Sequence, residues 1–230
     1  MKKLFIALVF VATGLVANAQ LFVGGNIGFS SSNGSSEEIA TIGGTTESEL
    51  DYAPRVSNFV IAPTVGFMAS DVVGFGATIG WQNEVTKECT NVKEKEFDAK
   101  TALSTFTFAP FFRYVFGDFG KIKLYADAKL PLEFGSSKVQ YKDEETLVKE
   151  KGPKGFGIGF YIQPAFTYEL NEHISFNAEL GLLSLGWHHS KMSYTEEDDD
   201  YKFEAIGKTN EFGLNVNNRV PVQFGFVYTF

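Results

Sequence analysis

Ionisable residues recur at alternate positions in segments that are otherwise apolar or rich in glycine. They are Arg113, then Lys123, Asp127, Lys129 and Glu133, then Glu169, Glu179 and Arg219. On an extended chain, residues two apart point to the same side, so each group shares one face with small or polar neighbours. Acids and bases gathered on one buried face can do either of two things. Asp127, Glu179 and their neighbours can pair with Arg113, Lys129 and Arg219 into an ionic plug, because an unpaired buried ion costs several kcal/mol. Alternatively, the same side chains can line a narrow ion-selective passage, and glycines on that face (Gly24, Gly28, Gly66, Gly76, Gly157, Gly159) leave room for one.

Other candidates are weaker. His188-His189-Ser190 holds the residue types of a hydrolase, but neighbours on an extended chain point in opposite directions. This triplet cannot form a triad alone and is expected at an outer rim. The run Glu196 to Asp200 could offer carboxylate oxygens to Ca²⁺, yet it lacks the alternating spacing of a calcium loop. A solvated acidic loop is the simpler reading. Gly74-x-Gly76-x-x-x-Gly80 resembles a nucleotide-binding turn without the helix that should follow. Gly155-x-Gly157-x-Gly159 keeps period two and reads as a wall with small side chains. Cys89 is the only cysteine and can make no internal disulfide. No catalytic, cofactor-binding or metal-binding residue is therefore expected, and no enzyme.

The elements that must position these groups are strands. From Phe230 backwards, Tyr228, Phe226, Phe224, Val222 and Val220 alternate with Thr229, Val227, Gly225, Gln223, Pro221 and Arg219, and the pattern resumes down to Phe212. One face is aromatic, the other small or polar, which suits a membrane-spanning strand of about 9–11 residues. The same alternation runs through 21–30, 59–68, 73–82, 102–116, 122–134, 156–170 and 174–187. That gives eight strands. Short turns at Ala69–Val72, Gly117–Gly120 and Asn171–His173 alternate with polar loops over Ser31–Ser57, Thr86–Lys100, Gly135–Lys154 and His188–Asn210. Aromatic residues near both ends of the strands fit interfacial girdles. Pro63, Pro110 and Pro164 each stand in a Pro-x-apolar-x-aromatic repeat before a short turn. Since proline removes a ladder donor, they are expected at β-bulges of shared depth.

Residues 1–19 carry Lys2 and Lys3, an apolar stretch and Ala17-Asn18-Ala19, the marks of a cleaved signal peptide. Residues 20–230 then form one domain. The net charge of −8 argues against nucleic acid as a partner. Without a long apolar helix, a span must be a closed barrel.

Signal peptide, alternating strands, unequal connections and a final aromatic together resemble the small bacterial outer-membrane β-barrel family of the OmpA, OmpX and OmpW kind. The resemblance implies an all-β, eight-stranded antiparallel up-and-down barrel in the bacterial outer membrane, with short periplasmic turns and long extracellular loops. It also implies assembly by the barrel-assembly machinery through Phe224, Phe226, Tyr228 and Phe230. Expected partners are outer-membrane lipids and an extracellular partner reached through the loops; the expected state is a monomer. A structural or surface role is the first expectation. A channel for ions or small, hydrophobic solutes is the alternative, and a lipid-modifying enzyme stands last.

Overall fold

The computed structural model describes residues 20–42, 45–91, 96–143, 146–198, 201–214 and 222–230; at 35–42, 45–52, 89–91, 96–98, 143, 196–198 and 201–203 it describes backbone alone. The leader, Arg219, the side chain of Cys89 and those of the acidic run 196–200 lie outside the described residues.

In chain order the strands are β1 (Gln20–Ile42), β2 (Thr45–Met68), β3 (Val73–Asn91), β4 (Glu96–Asp118), β5 (Ile122–Lys129) and β6 (Leu132–Asp143). They continue with β7 (Thr146–Glu169), β8 (Ile174–Glu179), β9 (Leu185–Asp198), β10 (Tyr201–Leu214) and β11 (Gln223–Thr229). All pairings are antiparallel, and β1 to β5 pair in chain order. β5 and β6 lie end to end between β4 and β7, and β8 and β9 lie end to end beside β7. β10 pairs with β9 and β11 with β8, while β11 also pairs with β1 from Phe22↔Thr229 to Ile27↔Phe224. The pairing thus returns to its start. Among the described residues the eleven strands lie along the eight expected staves, and pairing of β11 with β1 closes them into a ring at the short-turn end.

Two of the expected strands are broken, each for a local reason. The segment 122–134 stops at Leu130-Pro131, because proline has no N–H for the ladder. The break is patched: Leu130 N–H donates to the Pro110 carbonyl (3.0 Å) and Gly159 N–H to that of Pro131 (3.1 Å). The segment 174–187 is interrupted by a 3-10 turn at Gly181–Leu183.

The four outer connections differ from expectation more. Over the described residues they continue the ladder. β1 and β2 pair out to Ile42↔Thr45, β3 and β4 to Asn91↔Glu96, β6 and β7 to Asp143↔Thr146, and β9 and β10 to Asp198↔Tyr201. Alternating hydropathy marks a strand only where its two faces meet unlike surroundings. Beyond the apolar belt both faces meet water, so the pattern ends while the backbone pairing does not.

The belt itself faces outward. Ile27, Phe29, Ile61, Ile79, Phe108, Ile158, Phe160, Phe224 and Phe226 are exposed, whereas Phe22 and Asn26 on the opposite face are 3% and 4% exposed. A sheet that is apolar outside and polar inside is the inverse of a soluble barrel. The short turns are built by local side chains. Asp118 accepts from Gly120 N–H (3.0 Å), where Gly120 takes φ +75°, and Asn171 accepts from His173 and Ile174 N–H (2.9 and 2.8 Å).

Inside, glycines let aromatic rings lie flat against the wall. A Cβ on Gly76 would sit 2.5 Å from the ring of Phe111. Gly76→Val is expected to cost about 1–3 kcal/mol by overpacking. On the outer face, Ile79→Lys near the belt's centre is expected to cost about 2–4 kcal/mol, and Ile206→Lys on the β10 arm almost nothing. Urea unfolding in lipid vesicles, followed by tryptophan fluorescence, checks all three.

Candidate functional site

Four charged residues of the inner face form two ion pairs buried in the lumen. Arg113 on β4 donates from Nε and Nη2 to the two carboxylate oxygens of Asp127 on β5, at 2.8 and 2.9 Å. A bidentate pair of this kind fixes geometry as well as charge. The guanidinium lies 3.8 Å from the centroid of the Tyr125 ring, with Phe22 and Phe111 at 5.0 and 5.2 Å. Tyr125 donates to Asn177 Oδ1, and Asn177 Nδ2 donates to Asn26 Oδ1 (2.9 Å), which ties β5 to β8 and β1. One step further out, Lys129 Nζ meets Glu179 Oε2 at 2.7 Å. All of these side chains are buried.

The layer separates two cavities. The larger, about 620 Å³, lies toward the short turns and is lined by Asp71, Asp118, Lys123, Glu169 and Glu172, with Arg113 and Tyr125 as its floor. The smaller, about 100 Å³, lies on the other side, lined by Lys129, Glu133, Tyr161, Gln163, Glu179 and Ser184 and by apolar Val60, Ala62 and Ala109. The two share no lining residue.

The sequence-predicted lumen residues therefore divide. Arg113 and Asp127 form the barrier, and Lys129 and Glu179 stand on its outer side, where they line the smaller cavity. Lys123 leaves it for the larger cavity, where it pairs with Glu169 (2.9 Å) and stays partly exposed. Glu133 stands on the outer side against His188 Nε2 (3.3 Å). Arg219 lies outside the described residues.

His188 corrects the expectation of an outer rim. It is 4% exposed inside the barrel, while His189 faces out, stacked on Trp187 and 2.7 Å from Asn210 Oδ1. The alternation that sets Trp187 outward already implied His188 inward. Tyr125, Tyr161, Gln163, Asn26 and Asn177 also belong to the lumen; being uncharged, they do not stand out in a search for ionic groups.

The prolines sit where the wall is weakest. Each keeps its rung with a small residue on the preceding stave: Pro63↔Gly25, Pro110↔Ala77, Pro164↔Ala126. On the following stave the ladder skips. Rungs jump from Ile61↔Trp81 to Thr64↔Thr78 and from Phe108↔Leu132 to Phe111↔Lys129, with no extra residue on either side. Pro63 and Pro110 are thus skipped rungs rather than bulges, because a missing donor can be left without inserting a residue. Only Pro164 faces an insertion, the 3-10 turn between Ala165↔Glu179 and Ile162↔Leu185.

Removing one partner of the inner pair leaves a buried charge uncompensated. Asp127→Leu and Arg113→Met are each expected to cost about 3–5 kcal/mol, while the two together recover most of that loss. A double-mutant cycle on urea midpoints in vesicles reads the coupling.

No known family's sequence profile and no curated protein matches this chain. Solved structures do. The outer membrane protein OprG from Pseudomonas aeruginosa is 15% identical over 92% of this chain and 95% of that chain, with a TM-score of 0.50. Neisserial surface protein A is 13% identical over 92% and 96%, with a TM-score of 0.35. A major outer membrane protein from Thermus thermophilus is 12% identical over 92% and 99%, with a TM-score of 0.46. The chain has the fold of the small bacterial outer-membrane β-barrel proteins, with an exposed apolar belt on its outer face.

Proposed function

We propose that this protein is a structural, surface-presenting barrel rather than an enzyme, closed to flow along its axis, whose four strand-built arms make its contacts outside the cell. The observation that carries this reading is the buried layer of Arg113, Asp127, Tyr125, Asn177 and Asn26 between the two cavities. A solute passing along the axis would have to break a bidentate ion pair with almost no water at hand to replace it. The arms support the second half of the reading. Paired backbone holds their polar side chains clear of the membrane, where a partner could reach them. Phe224, Phe226, Tyr228 and Phe230, facing lipid along β11 and just beyond it, are the groups through which the barrel-assembly machinery would take hold. A monomer within outer-membrane lipid completes the proposal.

A narrow channel for ions or small solutes is the second reading. Its support is the thinness of the barrier, since cavities of about 620 and 100 Å³ stand on its two sides.

Planar-bilayer conductance of the refolded chain decides between them. The wild type should be silent, and Arg113→Ala and Asp127→Ala should leak. Steady, ion-selective current through the wild type would overturn the closed-barrel reading in favour of the channel.

A further inference from the structure

The smaller cavity holds more hydrogen-bonding capacity than the protein uses. Gln163 is 6% exposed and Ser184 3%, and both line the space. Among the described residues neither side chain has a hydrogen-bond partner, although buried amides and hydroxyls are nearly always satisfied. The Tyr161 hydroxyl, which lines the same space, is likewise without one. Lys129 spends one N–H on Glu179 Oε2 and has two more to give, while Glu179 keeps Oε1 free. Burying an amide without a partner costs roughly 1–3 kcal/mol, so several such groups around one void mark a space that is occupied.

Its chemistry narrows the occupant. Each charged group of the lining already has a side-chain partner: Lys129 stands on Glu179, and His188 Nε2 on Glu133. What remains is a mixed set of donors (Lys129, Gln163, Ser184, Tyr161) and acceptors (Glu179, Gln163, Ser184, Tyr161) beside an apolar patch of Val60, Ala62 and Ala109. A hydroxyl group is donor and acceptor at once, so a ligand carrying several of them meets such a set at every position, while its C–H face packs on the patch. The volume, about 100 Å³, admits a compact molecule and excludes a full hexose in its chair form.

We infer that this cavity is a binding site for a small neutral polyol, held by Gln163, Ser184, Tyr161 and the free valences of the Lys129–Glu179 pair. The site stands on the outer side of the barrier, so it does not depend on whether the axis conducts.

Ligand-observed NMR on the detergent-refolded full chain tests this, with glycerol as the probe and 1-propanol as its counterpart lacking two hydroxyls. Glycerol should bind, and 1-propanol and glucose should not compete for the site. Gln163→Leu and Ser184→Ala should each weaken glycerol about tenfold, the loss of one or two good hydrogen bonds, with unfolding midpoints showing that the variants fold. Glu172→Gln, in the opposite cavity, should leave binding unchanged. Glycerol binding no tighter than 1-propanol, or unaffected in both folded variants, would mean that ordered water alone fills the space and would overturn the site.

Discussion

A chain that crosses hydrocarbon must pair every backbone N–H and C=O within itself, because nothing in the bilayer core can hydrogen-bond to them. For strands this demands closure, and β11 on β1 supplies it at the short-turn end. The other features descend from that requirement. Closure turns alternate side chains inward into a space too narrow for bulk water, so the inner face must be small, or hydrogen-bonded, or paired. Glycine against aromatic rings gives the first, the Tyr125–Asn177–Asn26 chain the second, and Arg113 with Asp127 the third.

Two ion pairs in a space that size are an expensive way to fill it, and apolar residues of equal volume would do as well or better for stability. Their position suggests why they are there. Arg113–Asp127 and Lys129–Glu179 start from adjacent levels of the same strand, β5; the first locks a rung to the neighbouring β4 and the second reaches past β7 to β8. Apolar packing would fill the lumen without fixing which side chain stands where. The pairs set a defined boundary between the two cavities, and the cavities differ in character because of it. One is broad and mostly acidic; the other is small, and each of its charged groups has a side-chain partner.

Much of this was legible in the chain. Period two gave the staves, the outward belt and the inward charges, since burial on one side and lipid on the other is what that period records. The short turns were legible because Asp118, Gly120 and Asn171 act locally. The arms were not, because a ladder with water on both faces leaves no alternating hydropathy. Pro131 was visible as a residue, but its consequence, a stave in two pieces held by Leu130 and Gly159 N–H groups, depends on partners far away in sequence. Gln163 and Ser184 were invisible for a related reason. Nothing in a residue's own neighbourhood says that its hydrogen bonds will go unmade.

The prolines connect the wall to the smaller cavity. Each costs one rung where the bilayer forbids an open backbone group, yet three recur in the same repeat. Since proline carries no N–H, the group that would be stranded is a carbonyl, which tolerates partial satisfaction better than an amide does. The carbonyls of Pro110 and Pro164 are taken up across the gap by Leu130 and Leu180 N–H. The skipped rungs therefore loosen the wall without exposing donors to lipid. Ala62 precedes Pro63, Ala109 precedes Pro110 and Gln163 precedes Pro164, and all three point into the smaller cavity. The loosened level of the wall is the level at which the lumen keeps its unspent hydrogen bonds, and a barrel built only for rigidity would have put a full ladder and a packed interior there.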